Sequence, residues 1–267
     1  MEFTPEQWEA LARHAKEKDL VFLSSPFSLE ALTILEKTGV PAWKVGSGEF
    51  RSKELMQAMA KTKKPILFST GMSTYEEVSS VVDGFRIEKT DFALFQCTTN
   101  YPTKLEDVGI NVIDEYKKKF DCVVGLSDHS GTPYPALAAM ARGADLIEIH
   151  VTFDKRMYGP DTIASVTFDE LNLICRSRDA FHVMSSNPVN KDDMAERLQG
   201  MRDFFMKSIA LKESMSSGTV LEDSMLVPKK PGTGIPYTDK NTVIGKILVR
   251  DVPADRLLTW EDFEDVA

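Results

Sequence analysis

Two short stretches carry residue types suited to metal or acid–base chemistry: Ser127-Asp128-His129 and Glu148-Ile149-His150. Each ends an apolar run that reads as a β-strand, and each run is followed by a helical pattern. The chain has four histidines, and two of them stand at these strand ends. Imidazole is the commonest neutral metal ligand, and strand ends collect catalytic groups in α/β proteins. On adjacent parallel strands, about 4.8 Å apart, the rings of His129 and His150 could share one ion. Water and substrate oxygen would complete such a set, which suits a divalent cation such as Mn²⁺, Co²⁺ or Mg²⁺. By strand alternation Glu148 faces the same way as His150, as a third ligand or as a base. The alternative is a pair of structural histidines. His14 on the first helix and His182 near the end of a later one take structural readings, the latter beside a helix C-terminus that favours a cation.

Other strand ends supply polar groups of a different kind. They are Ser24-Ser25-Pro26, then Lys44 with Gly46-Ser47-Gly48-Glu49, then Ser69-Thr70-Gly71, then Gln96, Thr98, Thr99 and Tyr101. Hydroxyls, backbone N–H groups beside glycine and one lysine make a cradle for phosphate or carboxylate. Lys44 lies inside a β-rich run, where an ammonium costs several kcal/mol unless an anion meets it. A salt bridge to a nearby acid such as Glu49 is the structural alternative to a bound anion.

Six runs are expected as strands: Leu20 to Phe27, Ala42 to Glu49, Pro65 to Met72, Phe92 to Thr99, Val123 to Ser130 and Leu146 to Phe153. Their near-continuous apolar character implies burial on both faces, as in a parallel sheet. Helix signals fall between them. Thr4-Pro5-Glu6-Gln7 and Thr74 with Glu77 are capping boxes, and Leu29 to Thr38 ends at Gly39 as a C-cap. Further helices are expected over Pro135 to Arg142 and Phe168 to Met184. Alternating strand and helix units mean a parallel α/β fold, either an open doubly wound sheet or a (β/α)8 barrel. No GxGxxG or GxxxxGK[ST] follows any strand, and the polar residues sit at all six strand ends instead of one switch point. The expected fold is therefore of TIM-barrel type, with six strands where a closed barrel has eight.

Residues 1–184 form this partial barrel, 185–205 a linker and connecting helix over Asp192 to Phe205, and 206–267 a small β-rich domain. Its β-like pieces are Ser208 to Leu211, Met225 to Pro228 and Ile244 to Val249. The chain has 267 residues, 42% of them apolar and 27% charged, as in ordinary globular proteins. A net charge of −9 argues against nucleic acid as a partner. No apolar run is long enough for a membrane span and no secretory signal is visible, so a cytoplasmic location without membrane attachment is expected. Cys97, Cys122 and Cys175 read as three buried cysteines of a cytosolic protein.

The motifs Lys44-Val45-Gly46-Ser47-Gly48-Glu49, Ser69-Thr70-Gly71-Met72, Cys97-Thr98-Thr99 with Tyr101-Pro102-Thr103, Gly125-Leu126-Ser127-Asp128-His129, and Glu148 with His150 resemble the sialic acid synthase family. The stretch with Lys207-Ser208-Ile209-Ala210, Gly218-Thr219 and Lys230-Pro231-Gly232-Thr233-Gly234 resembles the antifreeze-like (SAF) domain of those enzymes. The resemblance implies condensation of phosphoenolpyruvate with an N-acylated hexosamine. It implies that Ser25, Lys44, Ser47, Ser69, Thr99 and Ser127 hold phosphoenolpyruvate and that Tyr101 lies in the substrate site. It gives His129 and His150 as ligands of a divalent metal, usually Mn²⁺, and Glu49 an acid–base or positioning role beside Glu148. Asp161 matches a sugar-binding aspartate, and Lys230 stands where the antifreeze-like loop commonly has an arginine toward the N-acyl group. A homodimer is implied, with the SAF domain of one subunit over the other's barrel.

Three departures accompany the resemblance. The family's chains begin with two further βα units, which bring a glutamate near the sugar and a lysine on the phosphate. Thr162 stands where histidine is frequent. Lys230 lacks the bidentate fork of arginine. A non-catalytic homologue that binds ligand or partner chains is the second hypothesis, and a different barrel synthase for phosphoenolpyruvate and an aldose the third. A six-stranded sheet with open edges is expected to be poorly soluble alone or to be covered by partner chains.

Overall fold

The computed structural model describes residues 3–263. Six strands form one all-parallel sheet: β1 (Trp43–Val45), β2 (Ile66–Ser69), β3 (Phe92–Cys97), β4 (Val123–Asp128), β5 (Leu146–Thr152) and β6 (Ser165–Thr167). Their order in the sheet is their order in the chain, with no reversal. A doubly wound sheet requires a reversal, so the architecture is a parallel half-barrel. Among the described residues β1 pairs only with β2, and β6 only with β5.

The strand count of six holds, but its membership differs from expectation. Leu20 to Phe27 forms no strand. Its Leu20, Val21 and Phe27 are 65%, 73% and 70% exposed. Apolar side chains do not make a strand unless a neighbour completes the backbone ladder. The sixth strand is Ser165–Thr167, which pairs with His150 to Thr152. It is too short and too polar at its ends to carry a sequence signal.

Helices α1 (Pro5–Glu17), α2 (Leu29–Thr38), α3 (Lys53–Lys61), α4 (Tyr75–Ile87), α5 (Asn111–Phe120), α6 (Tyr134–Ala141) and α7 (Phe168–Ser186) complete the first compact unit, which ends at Ser186. Both capping boxes form, at Thr4 with Gln7 and at Thr74 with Glu77. Gly39 ends α2 at φ 86°, a left-handed value that glycine adopts without strain. The helices bury stripes at helical spacing: Leu55 and Met59 on α3, Val78, Val82 and Phe85 on α4, Ile113, Tyr116 and Phe120 on α5. These meet Trp43, Val45, Ile66, Phe68, Leu94, Val124 and Leu126 from the strands. Alternation then sends Lys44 and Ser127 to the opposite face. No helix among the described residues is long and apolar enough to cross a membrane.

The second unit begins at Asn187. The single helix expected over Asp192 to Phe205 is two, α8 (Lys191–Arg197) and α9 (Gln199–Phe205), broken at Leu198 with ψ 17°. Gly200 beside the break weakens the helix by about 1 kcal/mol relative to alanine. Strands β7 (Ser208–Leu211) and β8 (Leu226–Lys229) pair antiparallel. The third expected piece, Ile244 to Val249, is a turn at Gly245 (φ 84°) followed by isolated bridges at Ile247 and Leu248. The core gathers Ile209, Leu211, Leu221, Leu226, Ile235 and Leu248.

Asp262 is fully buried in this unit and accepts from Arg250 Nε at 2.8 Å, from Arg256 and from the Thr259 N–H at 2.8 Å. Burial alone would raise its pKa, but the Thr259 N–H and the two guanidiniums outweigh it and hold the carboxyl below its ordinary value. The contribution is therefore complete above the unfolded value of about 3.9 and is lost as pH falls through the folded pKa. Asp262→Asn should cost roughly 2–4 kcal/mol at pH 7, measured by urea unfolding. The gap to wild type should close as the pH falls below about 4, and a pH-independent gap would contradict the assignment.

Candidate active site

Lys44 is the centre of one cluster. Its Nζ lies 3.1 Å from Val45 O, 2.8 Å from Ser69 Oγ and 3.4 Å from Glu148 Oε2. The Phe95 ring lies beneath it at 5.6 Å. The expected alternative partner, Glu49, accepts instead from Ser52 Oγ on the turn that follows β1. Strand register explains the Glu148 contact. Cys97 pairs with Ser127, and Ser127 with Glu148, so three strands put these side chains in one row. Ser127 Oγ donates to Glu148 Oε1 at 3.0 Å.

The histidines form a second cluster. Their ring centroids are 5.2 Å apart, at an interplanar angle of 46°. Tyr101 packs on His129 at 4.3 Å and edge-on to His150 at 5.7 Å. The Tyr101 hydroxyl is 2.9 Å from His129 Nε2. Asp161 Oδ2 lies 3.9 Å from His150 Nδ1. Burial pushes the His129 pKa down, with the His150 and Lys44 charges acting the same way against Thr98 and Glu148. Burial pushes Asp128 up against its hydrogen bonds from Ser130, and pushes Tyr101 up together with Cys97, Asp161 and Glu148. His14 and His182 are exposed on helices.

Cys97 joins these parts, and its place in the site was not anticipated. Its Sγ lies 3.6 Å from Ser47 Oγ, 3.9 Å from Thr99 Oγ1 and 3.9 Å from His129 Nδ1. The signal was available in Cys97-Thr98-Thr99, where alternation puts Cys97 on the same face as Thr99. Of the three cysteines, Cys97 is buried while Cys122 and Cys175 are only half-buried, and all three are free. Gly71 makes the convergence possible. Its N–H donates to Ser47 Oγ at 3.0 Å, and a Cβ there would stand 2.3 Å from Thr99 Oγ1 and 2.8 Å from Cys97 Sγ and Ser47 Oγ.

The structure thus brings together Lys44, Ser69, Ser127 and Glu148, and beside them Ser47, Thr99, Tyr101, His129, His150 and Asp161. Among the described residues no hydrogen bond joins Ser25 to them. Lys230 belongs to the second unit, where its Nζ lies 5.2 Å from the Phe205 ring. The imidazole pair could hold a divalent cation. Among the described residues no group of three His, Cys, Asp or Glu is placed to do so, so the other positions would fall to water or substrate oxygen. Burial favours the neutral His129 that such binding requires.

Gly71→Ala should lower stability by about 1–3 kcal/mol through overpacking, read from urea unfolding. An unchanged midpoint would mean that Ser47, Cys97 and Thr99 do not converge there.

The NeuB family matches residues 1–189, and the SAF domain matches 207–264. The chain is 32% identical to N,N'-diacetyllegionaminic acid synthase of Campylobacter jejuni over 93% of its own length and 75% of that protein's. It is 31% identical to human N-acetylneuraminate-9-phosphate synthase, over 98% and 73% of the two lengths. The crystal structure of N-acetylneuraminic acid synthetase from Leptospira borgpetersenii superimposes with a TM-score of 0.69 at 26% identity, covering 75% of this chain and 71% of that one. This chain, a parallel half-barrel followed by a SAF domain, belongs to the NeuB family.

Proposed function

We propose that the chain condenses phosphoenolpyruvate with an N-acylated hexosamine to give a sialic-type nonulosonic acid and inorganic phosphate. The observation that carries this is Lys44, an ammonium held on the sheet face among Ser69, Ser127 and Glu148, beside the His129 and His150 imidazoles. The nonulosonic acids named for the relatives support N-acetylmannosamine, or a related 6-deoxy diacetamido sugar, as the co-substrate class.

In the proposed reaction C3 of the enol forms a carbon–carbon bond with the sugar aldehyde carbon. Water adds at C2, and the C2–O bond to phosphorus-bearing oxygen breaks to release phosphate. Lys44, Ser47, Ser69, Thr99 and Ser127, with Ser25, are the groups assigned to the phosphate and carboxylate of phosphoenolpyruvate. Tyr101 orients His129 through its hydroxyl. Glu49 and Glu148 are the carboxylates available to take the proton that water gives up at C2. Asp161, beside His150, is assigned to a sugar hydroxyl. A divalent metal, Mn²⁺ in the first instance with Mg²⁺ or Co²⁺ as alternatives, held by His129 and His150, would polarise the aldehyde as a Lewis acid. Lys230 is assigned to the N-acyl group within a homodimer, one subunit's SAF domain lying over the other's half-barrel. The proposed location is the cytoplasm.

Phosphate release tests this. Release should require phosphoenolpyruvate, the amino sugar and Mn²⁺ together, and EDTA should abolish it. Lys44→Met should lower kcat/KM by about 100-fold or more, in line with loss of one charged donor at a reacting group. Phosphoenolpyruvate binding without turnover on any such sugar would make the chain a binding homologue. A folded chain that fails to bind phosphoenolpyruvate would remove the proposal.

A further inference from the structure

Lys44 Nζ donates to Val45 O and Ser69 Oγ and forms an ion pair with the Glu148 carboxylate. Glu148 spans the two groups best placed to receive an anion, with Oε2 on Lys44 at 3.4 Å and Oε1 on Ser127 at 3.0 Å. A phosphate or carboxylate arriving at Lys44 therefore meets a carboxylate already there. Two anions beside one ammonium repel each other.

We infer that Glu148 is a resident occupant of the substrate-anion seat, and that phosphoenolpyruvate binds by displacing the Glu148 carboxylate from Lys44 and Ser127. The inference rests on the phosphoenolpyruvate site proposed above. The two sides of the pair differ in freedom. The Lys44 side chain is 13% exposed and also tied to Ser69 and Val45, whereas that of Glu148 is 40% exposed. Lys44 is the fixed member and Glu148 the one that can leave. Nothing covalent holds Glu148 in the seat, and its β5 backbone stays paired with β4 when the side chain turns away. In the resting protein the carboxylate spares a part-buried ammonium from standing unpaired, a state that is costly. It also imposes a cost on every anion that enters. Binding measures the difference between two anions on the same donors, not the full attraction of a bare lysine.

The test is calorimetric titration of phosphoenolpyruvate into the full chain in EDTA, so that neither turnover nor metal enters the result. Glu148→Gln keeps the shape and the acceptor for Ser127 but removes the charge. It should bind phosphoenolpyruvate at least about tenfold more tightly than wild type, as one like charge leaves the seat. Glu148→Asp, which draws the carboxylate back from Lys44, should fall between the two and decides the matter if the glutamine variant does not fold. Lys44→Met should abolish binding in either background. If wild type binds and both Glu148 variants bind equally or more weakly, Glu148 assists the anion and the displacement idea is wrong while the phosphoenolpyruvate site stands. If no variant with Lys44 intact binds, the cradle is no anion site and both ideas fall.

Discussion

The Lys44 ammonium sits on a sheet face with its side chain 13% exposed, and its neighbours answer to that charge. A cation so placed loses much of its hydration and must recover it from neighbouring polar groups. Two of them, Val45 O and Ser69 Oγ, come from β1 and β2. The third, Glu148, comes from β5, three strands further along the sheet from β2. Reaching it requires a sheet that curves, which an all-parallel sheet in sequential order provides by its twist. The ion pair therefore depends on the half-barrel as a whole, not on one hairpin or loop.

Register does the rest of the positioning. Cys97, Ser127 and Glu148 are paired residues on three consecutive strands, so their side chains emerge in one row. A slip of one residue in β4 would turn Ser127 toward the helices and bring Leu126 into the site. The buried helix-facing residues Val124 and Leu126 resist that slip, because exposing each would forfeit about 1.5–3 kcal/mol. The apolar face thus holds the polar face in place. At its edge Gly71 lets Ser47, Cys97 and Thr99 approach one another more closely than any side chain at that position would permit.

Much of this was readable in the residues. Capping boxes and the Gly39 C-cap mark helix ends by local hydrogen bonding, and local rules hold whatever the tertiary context. The strand-end polar groups were recognisable by type because hydroxyls, glycines and one lysine are out of character in apolar runs. The failures share a different cause. Leu20 to Phe27 looks like a strand but lacks a ladder partner, while Ser165–Thr167 looks like nothing and acquires one from His150 to Thr152. Strand identity there is decided by a neighbour distant in sequence, which periodicity cannot see. The partner of Lys44 was missed for the same reason. Glu49 is near in sequence, but Glu148 is near in space. Cys97 reads as a packing residue in the sequence because a cysteine by itself carries no sign of what surrounds its sulfur.

The two clusters are chemically opposed, and their closeness is part of the design of the site. One is built around a permanent cation, and the other, in the proposed metal-binding role, would require neutral imidazole with its lone pair available. Burial moves His129 toward the neutral form first, and the His150 and Lys44 charges add to it. Glu148 pulls the other way, since a carboxylate nearby favours imidazolium. While Glu148 rests on Lys44, each charge offsets the other as seen from His129. Turning Glu148 out of its seat would separate those charges and change the field at the histidine pair without moving the histidines. Under the proposed displacement, the Lys44 cluster and the imidazoles would be coupled through the Glu148 side chain, with the Tyr101 hydroxyl 2.9 Å from Nε2 of the ring that receives the effect.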